Sequence, residues 1–300
     1  MNMPPYSYKF ISMTTPCVVQ IYSGHNEIAQ RCFAAIKQNT LRLEKKYNFY
    51  DPDSYLNKVI NRRQGNRVEV DKQSRDVLAQ VWDLSEKTRG VFDVTCGTLK
   101  QCYQHKTLVE VQSGLDRLRP KTGLDSWHVN KQGQLFFKYP ETIIDLGGVI
   151  KEYAVDEAAR IVQDFGIQSA IINFGGDIKV VGHKPGQSNF SIAIKNPKKS
   201  TENIVVVTLN NQALATSASY ERSNKIEGRE FSHIIDGSPS IIGENQLQSA
   251  ILSATIISDS TLVSGIYSTA FMLNSELEIP DNLHVILVDE QLRLHQNLQH

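Results

Sequence analysis

"ETIIDLGGVIKEYAVDEAARIVQDFG" (141–166) runs almost directly into "SAIINFGGDIKVVG" (169–182), and the reading of this stretch decides the fold. "ETIIDLGG" reads as a strand that ends on two glycines. The segment after it, "VIKEYAVDEAARIVQDFG" (149–166), sets Ala154, Ala158, Ile161, Val162 and Phe165 along one face at helical spacing, and Gly166 closes the helix. "SAIINFGGDIKVVG" then reads as two strands about a second Gly-Gly turn. The sum is a β-α-β unit with glycines at the helix entrance, where free backbone N–H groups suit a phosphate. The spacing is neither G-x-G-x-x-G nor G-x-x-x-x-G-K-[ST], which excludes the dinucleotide fingerprint and the P-loop.

Upstream, "CVVQIYS" (17–23) reads as a strand, and residues 26–47 place Ile28, Cys32, Ala35, Ile36, Leu41 and Leu43 at mostly helical spacing. "YDPDSYLNKVIN" (50–61) breaks that helix at a proline turn and starts a short one. A second helix is expected from about Ser74 to Thr88, burying Val77, Leu78, Val81 and Leu84. Downstream, "NFSIAIKN" (189–196), "NIVVVTLNN" (203–211), "EFSHIID" (230–236) and "SAILSATIIS" (249–258) read as strands. A helix from about Asp259 to Leu273 and the strand "HVILVDE" (284–290) follow. These segments predict an α+β fold with a mixed, partly antiparallel sheet around the central β-α-β unit. The expected organisation is one domain over residues 1–300.

Thirty-two basic and thirty-two acidic side chains cancel, so no bulk field recruits nucleic acid or an acidic membrane. No apolar run approaches the roughly 20 residues of a membrane span. The first ten residues, "MNMPPYSYKF", contain two prolines and no apolar signal region. The four cysteines (Cys17, Cys32, Cys96, Cys102) have no C-x-x-C spacing and read as reduced, inert thiols. The expected location is the cytoplasm.

"FSHIIDG" (231–237) holds a histidine in an apolar run. On a strand, Phe231, His233 and Ile235 share one face and Asp236 the other, so His233 and Asp236 make no local dyad. A lone histidine in such a setting is more often a hydrogen-bonded core residue than a catalyst.

Six segments occur in a specific order: "FDVTCGTL" (92–99), "IDLGGVIKEYAVDEAA" (144–159), "INFGGDI" (172–178), "ATSASYER" (215–222), "FSHIIDG" (231–237) and "DSTLVSGIYSTAF" (259–271). In that order the chain resembles the ApbE family of FAD:protein FMN transferases over about residues 8–290. The resemblance implies an enzyme that uses FAD with a divalent cation, usually Mg2+. It would place FMN on a threonine hydroxyl of an acceptor flavoprotein and release AMP. Mapped by position, the flavin and nucleotide contacts fall on Met13, Tyr50, Phe92, Asp93, Gly148, Tyr153 and Ile235. Lys151, in the first turn after Gly-Gly, is a candidate phosphate contact, and His233 maps to the general base. The metal site maps to the carbonyl of Ile150 and to Gly265, Ser268 and Thr269.

Two departures bear on that metal. The family's metal-binding aspartate falls at Gly265, and the glycine after the lysine has become Glu152. Glu152 is therefore a candidate to supply the missing carboxylate from the other side of the ion. Smaller departures are Thr14 for the glycine after Met13, Ala218 for glycine in "TSAS" and Gly237 for proline. Simpler readings stand beside these: Lys151 as a solvated helix residue, Tyr50 packed on the second helix, Asp145 capping the next helix, and Thr269 bonding back to a carbonyl. The alternatives in function are a flavin-binding protein without catalysis and an FAD pyrophosphatase giving FMN and AMP.

Overall fold

The strands of the main sheet lie side by side in the order in which the chain makes them: β1 (Tyr6–Ser12), β2 (Thr15–Ile21), β3 (Ala170–Phe174), β4 (Asp177–Val181), β5 (Ala213–Ala218), β6 (Ile251–Ser258), β7 (His284–Asp289) and β8 (Leu294–Gln296). Every neighbouring pair is antiparallel. The computed structural model describes residues 4–104, 107–218, 223–226, 229–232 and 251–297. His233 and Ile235 lie outside the described residues.

Five longer helices are inserted between these strands: α1 (Asn26–Tyr47), α2 (Lys72–Lys87), α3 (Leu108–Leu118), α4 (Ile150–Asp164) and α5 (Thr261–Leu273). The main sheet is covered on both faces. On one face Val19, Ile172, Phe174, Ile256 and Val285 join a core with Ile36 and Leu43 of α1, Ala154 and Val162 of α4, and Ile266 and Phe271 of α5. On the other face Val180, Leu214, Ile257 and Ile286 pack against a hairpin of Phe190–Asn196 and Lys199–Leu209. Neighbours in sequence such as Ile256 and Ile257 therefore serve opposite cores, which is why "SAILSATIIS" reads as a continuous apolar run. Besides this there is a small three-stranded sheet of Arg67–Glu69, Gln134–Phe137 and Trp127–Val129.

The α+β class and the long helices match the sequence reading; α1 deviates only at Leu41, which faces solvent. The β-α-β unit does not form. Residues 142–146 belong to no strand. Side chains and nearby loop carbonyls such as that of Val94, not a neighbouring strand, take up backbone groups there. Ile144 exchanges two hydrogen bonds with the Asn61 amide, and the Ile143 N–H donates to Thr98 Oγ1 at 2.8 Å. Arg63 donates to the carbonyls of Thr142 and Tyr139. The segment is mostly buried, so it carries a strand's composition without a ladder. The sheet is consequently antiparallel rather than mixed, and α4 connects a braced loop to a β3–β4 hairpin.

Candidate active site

One end of the main sheet collects most of the quoted motifs. The β1–β2 turn at Met13 and Thr14 and the β3–β4 turn at Gly175 and Gly176 are neighbours there, because Cys17 pairs with Phe174. Met13 and Thr14 both have positive φ, 51° and 59°. Glu44 of α1 holds them: its carboxylate accepts from Ser12 Oγ and from the Met13 N–H, both at 2.7 Å. Gly175 is required at its position. Its φ is +64°, and a Cβ there would fall on Thr15 Oγ1. The chain also leaves β5 at Ala218 and returns at Ile251 on this same end, since Ala218 pairs with Ser253.

Lys151, Glu152 and Asp177 meet at the entrance of α4. The Lys151 ammonium is ion-paired with Asp177 and stands 3.4 Å from Glu152 Oε1. Burial pulls the Lys151 pKa down, but the charges of Glu152 and Asp177 outweigh it and the net direction is up. Glu152 is 6% exposed, and its Oε2 has no hydrogen-bond partner. Burial, with Asp177 adding repulsion, pushes its carboxyl up to about 7 against the pull of Lys151. Lys151 is thus neither a solvated helix residue nor an unpaired cation. Across from Glu152 lies Gly265 of α5. A Cβ on Gly265 would strike Glu152 Cγ and come within 3.2 Å of its Cδ and 3.4 Å of Oε1. The Glu152 side chain fills the space that any side chain at 265 would enter.

One turn further along α5, Ser268 donates to the Gly265 carbonyl at 3.0 Å and shares a 2.8 Å hydrogen bond with Ser217 of β5. Thr269 meets the same Ser217 hydroxyl at 3.2 Å. Having donated to the carbonyl, Ser268 accepts from Ser217, so three hydroxyls form one chain. Among the described residues no group of three or more His, Cys, Asp or Glu side chains could hold a metal. Magnesium needs less: oxygen donors, one or two carboxylates and substrate phosphates. A buried carboxylate oxygen without a partner, on a side chain packed against the glycine whose carbonyl begins the hydroxyl chain, is a donor set that fits such an ion.

A second cluster flanks the same helix entrance. Phe92 is buried with its ring over Gly148. Asp93 braces its own loop, accepting from the Thr95 N–H at 2.8 Å and the Gly123 N–H at 3.0 Å. Burial raises the Asp93 pKa while those hydrogen bonds oppose the rise. Asp145 accepts from the Gly147 N–H at 2.8 Å and is ion-paired with Lys100. It shapes the Gly-Gly turn and does not cap α4, whose N-cap is Val149 without a side-chain bond. Tyr50 is 81% exposed, edge-on to Phe49 at 5.4 Å, so it does not pack on α2 and presents an open ring. Tyr153, half-buried, packs on the core from α4. The sequence reading gave no role to Glu44, Asp177 or Ser217, although the last two stand inside quoted segments.

The four cysteines are free thiols, three of them buried. Among the described residues no helix is long and apolar enough to cross a membrane.

Comparison with known proteins agrees with this fold. The structure superposes on the ApbE protein of Thermotoga maritima with a TM-score of 0.83 at 24% identity, covering 97% of this chain and 96% of that one. The apo flavinyl transferase ApbE of Pseudomonas stutzeri gives 0.81 at 20% identity over 99% and 96% of the two chains. The FAD:protein FMN transferase of Escherichia coli (strain K12) is 27% identical over 237 residues, 75% of this chain and 65% of that relative's length. A sequence model of the ApbE family matches residues 13–284, and the chain belongs to the ApbE family.

Proposed function

We propose that the chain is an FAD:protein FMN transferase that moves the FMN half of FAD onto a threonine hydroxyl of an acceptor flavoprotein. The family match across residues 13–284 carries this reading. In the reaction the threonine oxygen bonds to the FMN-side phosphorus, the bond from that phosphorus to the bridging pyrophosphate oxygen breaks, and AMP leaves. His233 takes the hydroxyl proton as general base.

The remaining roles are those that the family resemblance assigns. Tyr50 offers its exposed ring for stacking, while Met13, Phe92, Asp93, Gly148, Tyr153 and Ile235 line or shape the FAD site. Lys151 stands at the helix entrance where the pyrophosphate would lie, with its ammonium held in place by Asp177. The Ile150 carbonyl, Ser268 and Thr269 would hold Mg2+, which supplies charge neutralisation on the phosphates. The unpaired thiols are compatible with a reducing compartment, and cytoplasmic acceptors are the proposed partners.

Incubation with FAD, Mg2+ and an acceptor domain carrying a threonine flavinylation motif tests the proposal. Covalent flavin on the acceptor is expected, and His233→Ala should lower its formation by about two orders of magnitude or more. Free FMN without labelled acceptor would make the chain a pyrophosphatase. FAD that is bound but left intact would make it a flavin carrier.

A further inference from the structure

We propose that Glu152 is the carboxylate ligand of a divalent-cation site between α4 and α5, and that Gly265 is small in order to admit it. The inference deepens the proposed function, since the cation would serve the same FAD site. It stands on three observations of the described residues.

The first is chemical. Glu152 Oε2 is buried and has no partner, a state that leaves the desolvation of an anionic oxygen uncompensated. Oε1 stands 3.4 Å from the Lys151 ammonium, which is already paired with Asp177, and the Asp177 carboxylate itself works against ionisation of Glu152. Two carboxylates face one lysine, so the ionised cluster carries one excess negative charge inside the protein. A hard cation at Oε2 would remove both faults together.

The second is steric. Glu152 and Gly265 are mutually fitted: a Cβ at 265 would fall on Glu152 Cγ. A carboxylate on α5 and one on α4 therefore cannot occupy this volume together. The two helices offer alternative origins for one carboxylate, and this chain draws it from α4. The third is the neighbourhood. The Gly265 carbonyl, Ser268, Thr269 and Ser217 form a polar chain that begins at Gly265, the residue against which the Glu152 side chain packs.

Mn2+ titration followed by electron paramagnetic resonance reads the site without catalysis, with the full chain alone and with FAD present. Wild type should take up one Mn2+, and Glu152→Gln should weaken its uptake by at least tenfold. The reciprocal double variant Glu152→Gly with Gly265→Asp should restore uptake to within a few fold. That variant also keeps the test decisive if Glu152→Gln fails to fold. Wild type that takes up no Mn2+ under either condition would overturn the proposal. So would Glu152→Gln binding as wild type does, or a folded double variant that binds none. Glu152-dependent Mn2+ uptake by a chain that flavinylates nothing would instead refute the transferase reading and leave this site standing.

Discussion

Glu152 and Asp156 stand one turn apart on α4 and both reach α5, yet their carboxylates are in opposite states. Asp156 is saturated. Its Oδ1 accepts from the Thr261 N–H at 2.8 Å, and its Oδ2 accepts from the Leu262 N–H at 3.0 Å and from Ser260 Oγ at 2.8 Å. These are N–H groups that the first turn of α5 cannot satisfy internally, and a negative charge there also suits the helix dipole. Glu152 has one oxygen on a shared lysine and another on nothing. A half-buried carboxylate with both oxygens bonded to the start of the next helix holds two helices together. One with an oxygen to spare is placed for something that arrives later.

The comparison can be broken most directly at its saturated end. Asp156→Ala strips three charge-assisted hydrogen bonds from the start of α5 and should cost about 2–4 kcal/mol in urea unfolding. Glu152→Gln keeps the shape, removes a poorly compensated charge and should change stability by less than about 1 kcal/mol. Equal losses from the two substitutions would mean that both carboxylates are structural.

Gly265→Ala sharpens the fit between the helices. Its methyl group meets Glu152 Cγ and should cost about 1–3 kcal/mol by overpacking. In a Glu152→Gly background that penalty should largely vanish, because the obstructing side chain is gone. A double-mutant cycle read by chemical denaturation measures the coupling. Additive losses would show that Gly265 is small for a reason unconnected with Glu152.

Residues such as Ala154, Ala158 and Val162 show why much of the fold was legible: helical spacing encodes a buried face directly, and all three are buried. What spacing does not encode is the partner. "ETIID" has a strand's composition, yet Asn61, Arg63 and Thr98 take its backbone groups from far along the chain. Helical spacing does not single out Asp156, whose partners lie more than a hundred residues away. Helix α3 went unread although its start is marked locally, by the capping box of Thr107 and Glu110. Within the site, the exchange of glycine for Glu152 and of aspartate for Gly265 could be seen as two departures. Only the steric fit joins them into one pair.

Glu44 supplies a third carboxylate for the comparison, saturated like Asp156 but spent on a turn. By gripping Ser12 and Met13 it maintains two left-handed residues in the β1–β2 turn, Met13 and the β-branched Thr14. Such a conformation is unfavourable by about 1–2 kcal/mol for a residue with a Cβ. Glycine would remove that strain but loses more backbone entropy on folding, by roughly 0.5–1 kcal/mol. Thr14→Gly should therefore stabilise the protein only slightly, by about 0.5–1 kcal/mol in urea unfolding. Thr14→Ala keeps the Cβ and should show little of this gain. Equal stability of the glycine and alanine variants would mean that the positive φ at residue 14 is not a source of strain. The turn would then owe nothing to Glu44 beyond its two hydrogen bonds.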